Sequence, residues 1–255
     1  MKYLKVIMIC LTIIQCSAIK KVNSNNIQKF EFKIDTLTLN DQSRNRKIPI
    51  AIYQPKNKKQ LNKIPIIFSH GYGENKGGDY LFSYTYLTEF LASKGYFVVS
   101  IQHELPTDEL LAMTGKLNET RRPNWESGVR NILFVLKEIE KIYPKLKYNK
   151  LTLIGHSNGG DMTALFANQY PELASKIITM DSRRMELPRT RKPKIFTLRS
   201  NDYPADENVL PTDGEAKKYN ILIQQTNINH SNMDNDANEG ERKFITEKIF
   251  EYLKK

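Results

Sequence analysis

Cysteine is nearly missing from this 255-residue chain: the two present, Cys10 and Cys16, both fall in the first sixteen residues. Those residues read as a secretory leader, with Lys2 and Lys5 ahead of the apolar run Val6 to Ile14 and the small pair Ser17-Ala18 at a cleavage site after Ala18. Gln15 stands where a small residue is expected before a lipidated cysteine, which weighs against a lipid on Cys16. Once residues 1–18 are removed no cysteine remains, which excludes disulfides, a thiol nucleophile and cysteine-bound zinc. Long apolar runs are lacking as well; Val6 to Ile14 is shorter than the roughly 20 residues a membrane-spanning helix needs. The expected product is therefore a soluble, exported chain, placed in the periplasm or outside the cell.

Acids are scarce relative to bases. There are 28 Asp and Glu against 39 Lys and Arg, a net charge of +11, of which the leader contributes Lys2 and Lys5. The densest cluster is Arg183, Arg184, Arg189, Arg191 and Lys192, and the remaining lysines are scattered. Such a surface suits peripheral contact with anionic material. With neither zinc-finger spacing nor an aromatic RNA-binding signature beside it, nucleic acid is not an expected partner. Internal repeats and low-complexity linkers are also absent, so residues 27–255 read as one domain after a flexible lead-in at 19–26.

What is present alternates between two periods. Phe30 to Leu39 and Ile48 to Tyr53 alternate apolar and polar residues, as strands with one wet face do. Ile64 to Ser69 and Tyr96 to Ile101 are nearly continuous apolar runs suited to a sheet covered on both faces, and Leu151 to Ile154, Ile177 to Met180, Ile195 to Leu198 and Ile221 to Gln225 read as further strands. Helical spacing marks Leu81 to Ser93, Trp125 to Tyr143, Met162 to Gln169 and Glu241 to Tyr252. The order implies an α/β fold: a mostly parallel sheet, helices on both faces through right-handed crossovers, and an antiparallel N-terminal edge.

Within that frame one stretch carries chemistry. Thr152 to Thr163 reads TLIGHSNGGDMT, placing Ser157 between a buried strand and a helix in the G-x-S-x-G pattern of a nucleophile elbow. A serine hydroxyl needs a base to take its proton, and the chain has only four histidines. His156 sits inside the elbow and reads as packing, and His70 and His103 follow strands. His230, in INHSNMDND between the last strand and the last helix, is where a base can reach over the sheet edge. The acid that orients it should lie between serine and histidine in the chain. Asp202, just past a strand, is favoured; Asp206 is its rival, and Asp181 comes third. SHGYGENKGG, from Ser69 to Gly78, can turn backbone amides toward the serine, and the expected oxyanion donors are the N–H groups of Tyr72 and Asn158.

GHSNGG, HGYG, an acid after the next-to-last strand and Asn229-His230 before the last helix together resemble the α/β-hydrolase superfamily over Phe30 to Leu253. Within it the chain is similar to small secreted esterases and lipases related to cutinase-like polyester hydrolases, dienelactone hydrolases and platelet-activating factor acetylhydrolases. The resemblance implies a Ser-His-Asp hydrolase of carboxylic esters that forms an acyl-enzyme, with no metal or organic cofactor. It implies a small-molecule or lipid ester as substrate and a monomeric chain. A peptidase, thioesterase or acyltransferase would use the same residues, and a non-catalytic binder of anionic surfaces is the alternative of another class. Between Asp181 and Lys194 only a short basic segment stands where many such lipases carry a cap, so an open site is expected, with Leu105 to Pro123 as its only partial cover.

Overall fold

The computed structural model describes residues 29–76 and 80–255. The expected leader, the lead-in at 19–26, and Gly77 and Gly78 of the glycine-rich loop lie outside the described residues. The described chain contains eight strands: β1 (Phe32–Asp41), β2 (Arg46–Pro55), β3 (Pro65–Ser69), β4 (Phe97–Ile101), β5 (Thr152–His156), β6 (Lys176–Met180), β7 (Lys194–Arg199) and β8 (Leu222–Gln225). They form one sheet in the order β1-β2-β4-β3-β5-β6-β7-β8. β1 and β2 pair antiparallel, β2 and β4 likewise, and every later pairing is parallel.

The helices are α1 (Thr85–Ser93), α2 (Leu117–Thr120), α3 (Arg122–Ile142), α4 (Ser157–Gln169), α5 (Asp213–Tyr219) and α6 (Glu239–Lys254). The two-residue period of the strands divides their side chains between two cores. Ile48, Ile50 and Ile52 of β2, Phe97, Val99 and Ile101 of β4 and Leu153 of β5 meet Trp125, Val129, Ile132, Val135 and Ile139 of α3 and Ala164 and Leu165 of α4. Tyr53, Phe68, Val98 and Ile154 point the other way, onto Leu87 and Leu91 of α1 and Ile245 and Ile249 of α6. Continuous apolar runs in β3, β4 and β5 follow from this, since both faces are covered.

Three elements depart from expectation. α4 begins at Ser157 rather than Met162; the Gly159-Gly160 pair hides its first turn from a reading by propensity. α5 was not foreseen, because none of its residues is buried and it carries no apolar stripe. Its signature is the capping box Thr212-x-x-Glu215, in which each side chain bonds the other residue's amide. α2 was not foreseen either, in the segment read as a connection from Leu105 to Pro123; β8 forms where a strand was expected and lies at the sheet edge, with Leu222 and Ile223 half exposed. Between β6 and β7 the chain runs from Asp181 to Pro193 without a helix, so no cap stands there.

Candidate active site

Five parallel strand pairings bring the carboxyl ends of β3, β4, β5, β6 and β7 to one edge of the sheet, and the candidate residues gather there. Ser157 is the first residue of α4 and holds a left-handed backbone at φ +51°. A non-glycine residue pays for that conformation unless its surroundings enforce it. The neighbouring glycines do so by admitting backbone at contact distance. A Cβ on Gly155 would come within 2.2 Å of the Gly159 carbonyl oxygen, and one on Gly159 within 2.4 Å of the Ser69 and His70 carbonyl oxygens.

The hydroxyl so presented meets His230, which stands on the turn between β8 and α6. Ser157 Oγ lies 2.9 Å from His230 Nε2, and His230 Nδ1 lies 2.5 Å from Asp181 Oδ2. With Nδ1 protonated toward the carboxylate, Nε2 is left to accept the serine proton. His230 is thus placed where the loop before the last helix suggested.

The carboxylate is not the expected one. Asp202 does not touch the imidazole side chain; its Oδ1 accepts the backbone N–H of His230 at 2.9 Å, and the residue is exposed. Asp206 pairs with Arg184. Asp181 directly follows β6, the neighbour of β5, and is fully buried, with a left-handed φ of +51°. Its carboxylate accepts the Ser200 amide at 3.1 Å and the Ser200 hydroxyl at 2.9 Å, and Arg199 Nη2 stands 2.9 Å from Oδ1. Burial alone would raise its pKa, but the His230 hydrogen bond, the Arg199 charge and the Ser200 amide outweigh burial and hold it far below the usual carboxylate range. All three aspartates satisfy the chain order Ser, Asp, His, so order could not separate them. Strand adjacency does, and it is not written in a linear motif. Arg199 and Ser200, which hold the carboxylate, were likewise missed; a charged residue closing an otherwise apolar strand, Ile195 to Leu198, was the available signal.

His156 packs as expected. It is buried, its ring centroid is 4.7 Å from that of His230, and burial, with the His230 charge second, pushes its pKa down to about 3. Tyr84 donates to His156 Nδ1 at 2.6 Å and accepts the Gly71 amide at 3.0 Å. This fixes the HGYG segment against the elbow, where a Cβ on Gly71 would lie 3.4 Å from Ser157 Cβ. The Gly71 amide is thereby engaged, while the Tyr72 and Asn158 amides make no hydrogen bond to another described residue. The Tyr72 hydroxyl accepts the Leu111 amide at 3.1 Å, tying this loop to the Leu105 to Pro123 segment. Trp125 is core, as the reading of a helix-start tryptophan anticipated, but its Nε1 also donates to Asn158 Oδ1 at 2.7 Å.

A family model described as Chlorophyllase matches residues 20–249. The serine hydrolase-like protein of Mus musculus is 29% identical over 110 residues, 41% of this chain and 34% of the mouse protein. The matched stretch spans less than half the length of each curated relative. Among solved structures, a fungal esterase from Rhizomucor miehei superposes with a TM-score of 0.61 at 15% identity, covering 88% of this chain and 82% of its own. A ferulic acid esterase superposes with a TM-score of 0.60 at 12% identity, covering 88% and 97%. These likenesses give the architecture that GHSNGG and HGYG pointed to, the α/β-hydrolase fold.

Proposed function

The chain belongs to the chlorophyllase family, and on that premise, joined to the geometry around Ser157, we propose that it is a serine-dependent hydrolase of carboxylic esters. The observation that carries this reading is the imidazole of His230 held between Ser157 Oγ at 2.9 Å and the buried carboxylate of Asp181 at 2.5 Å. Ser157 attacks the ester carbonyl while Nε2 of His230 takes the hydroxyl proton. Asp181 keeps the Nδ1–H tautomer and stabilises the imidazolium. Arg199 and Ser200 keep that carboxylate ionised and fixed. The amides of Tyr72 and Asn158 receive the developing oxyanion, aided by the N-terminus of α4. Collapse expels the alcohol, protonated by His230, and water activated by the same imidazole releases the acid from the acyl-serine.

The test is turnover of p-nitrophenyl esters together with labelling by a fluorophosphonate. Both are expected to disappear in Ser157→Ala, with stability changed by no more than about 0.5 kcal/mol. Labelling that persists on another serine would exclude this assignment. Export remains part of the same proposal: N-terminal sequencing of protein recovered from outside the cytoplasm is expected to begin at Ile19. An intact Met1 on that material would refute cleavage after Ala18.

A further inference from the structure

A second buried carboxyl group joins the two segments that carry the proposed oxyanion donors. Glu104, three residues past the end of β4, is 2% exposed. Its Oε1 accepts Asn158 Nδ2 at 3.1 Å, and its Oε2 lies 3.5 Å from His70 Nε2 with no donor of its own. His70 stands between β3 and Gly71. Its Nε2 accepts the His103 amide at 3.0 Å, and its Nδ1 donates to the Gly71 carbonyl at 2.6 Å. These two bonds leave His70 one state, the neutral imidazole with its proton on Nδ1. The close approach of Glu104 to His70 is therefore not an ion pair. An ionised Oε2 would set its negative charge against Nε2, whose lone pair already takes the His103 amide, with no proton between them; the neutral acid removes that repulsion.

The Asn158 side chain is held from its other sides as well, by Trp125 Nε1 at 2.7 Å and Asn124 Oδ1 at 2.9 Å. Through Asn158 the carboxyl group reaches the start of α4; through His70 and the Gly71 carbonyl it reaches the peptide that bears the Tyr72 amide. We infer that Glu104, as the neutral acid, is a positioning residue that fixes the distance between the Tyr72 and Asn158 amides. This rests on the ester-hydrolase reading, which assigns those amides to the oxyanion.

The groups facing Glu104 are His70 from the end of β3 and Asn158 from α4, with Asp108 and the Tyr84 phenol acting on it through charge. Arg46 of β2 faces it too, with Asp108 engaging that guanidinium at 2.6 and 2.7 Å. His70 and His103 are held neutral by burial. Burial likewise pushes Glu104 up to about 8, against the Asn158 hydrogen bond, which favours the charged form. Loss of its proton thus falls within the range of a rate assay.

The experiment compares wild type, E104Q and E104L across pH with p-nitrophenyl esters. Glutamine keeps an uncharged group of the same shape that accepts from Asn158, but cannot ionise; leucine cannot accept that bond. In wild type kcat is expected to fall on the alkaline side with a midpoint near pH 8 while KM stays within about twofold. E104L is expected to lose about 10- to 100-fold in kcat at neutral pH, the scale of a misplaced oxyanion donor. E104Q is expected to restore most of that loss and to lack the alkaline fall. An alkaline fall in E104Q matching that of wild type, or an E104L kcat equal to wild type, would overturn the inference. Infrared spectroscopy supplies a readout independent of turnover: a protonated-carboxyl band that fades near pH 8 in wild type and is missing from E104Q supports it, and an identical band in both overturns it. Wild-type turnover and its loss in Ser157→Ala judge the ester-hydrolase reading separately, so the two can fail independently.

Discussion

Asp181 shows how much a single side chain depends on its neighbours. Its carboxylate is buried, yet it takes bonds from His230, Ser200 and the Arg199 guanidinium, so ionisation is favoured where burial alone would oppose it. Changing it to asparagine preserves the shape but places an amide against Nδ1 and favours the wrong tautomer. Asp181→Asn is expected to lower kcat by about 10³- to 10⁴-fold with KM little changed. Asp202→Asn, which keeps an acceptor for the His230 amide, is expected to lose less than about tenfold, and Asp206→Asn no more than that. Kinetics of the three variants, with folding followed by circular dichroism, would settle the order. A loss in Asp202→Asn equal to that in Asp181→Asn would contradict the geometry.

At the scale of the element, two glycines at helix starts do opposite things. Gly159 lets the first turn of α4 pass the end of β3, where a Cβ would sit 2.4 Å from two carbonyl oxygens; Gly214, in α5, has nothing within 4 Å of such an atom. Gly159→Ala must move backbone at the centre of the sheet edge and is expected to cost more than about 2 kcal/mol, with loss of turnover. Gly214→Ala relieves only the entropic cost of glycine and is expected to add about 0.5 to 1 kcal/mol, leaving kcat unchanged. Urea midpoints for both would show this, and equal effects of the two substitutions would refute it. The same contrast explains what the sequence revealed of these elements. α3 and α6 announce themselves because their apolar residues recur on one face, whereas α5 packs too lightly to need such a stripe.

For the whole molecule, buried titratable groups shape stability against pH. Burial holds His70 down to about 4, His156 down to about 3, and His103 well below its ordinary 6.5. Each is neutral when folded and takes a proton on unfolding below about pH 6.5, so acid favours the unfolded chain. Burial raises Glu104 to about 8 and Asp161 to about 6, so these two hold protons in the folded state that the unfolded chain has released. Their contribution is complete at low pH and is lost as pH rises through those values. Three imidazoles outweigh two carboxyls between about pH 4.5 and 6, while among these groups only Glu104 acts between about 6.5 and 8. Stability is therefore expected to peak near pH 6.5 and decline on both sides, as urea midpoints across that range would test. In E104Q the alkaline decline should flatten; a wild-type midpoint that climbs steadily to pH 9 would contradict the assignment.

The order of strands and helices, the elbow around Ser157 and the placing of His230 were legible in the linear chain, because each rests on local matters. Periodicity records which face a residue turns to the core, and glycine spacing records where backbones pass at contact distance. The carboxylate that meets His230 was not legible, nor were Arg199 beside it, Tyr84 against His156 and Glu104 against Asn158. Asp181, Asp202 and Asp206 stand in the same order relative to Ser157 and His230, and only the lateral sequence of strands puts β6, not the loop after β7, beside the serine. That choice is made by hydrogen bonds between strands and by side chains from distant segments meeting at one sheet edge. Contacts between residues far apart in the chain leave no period behind, so the tertiary structure alone decided them.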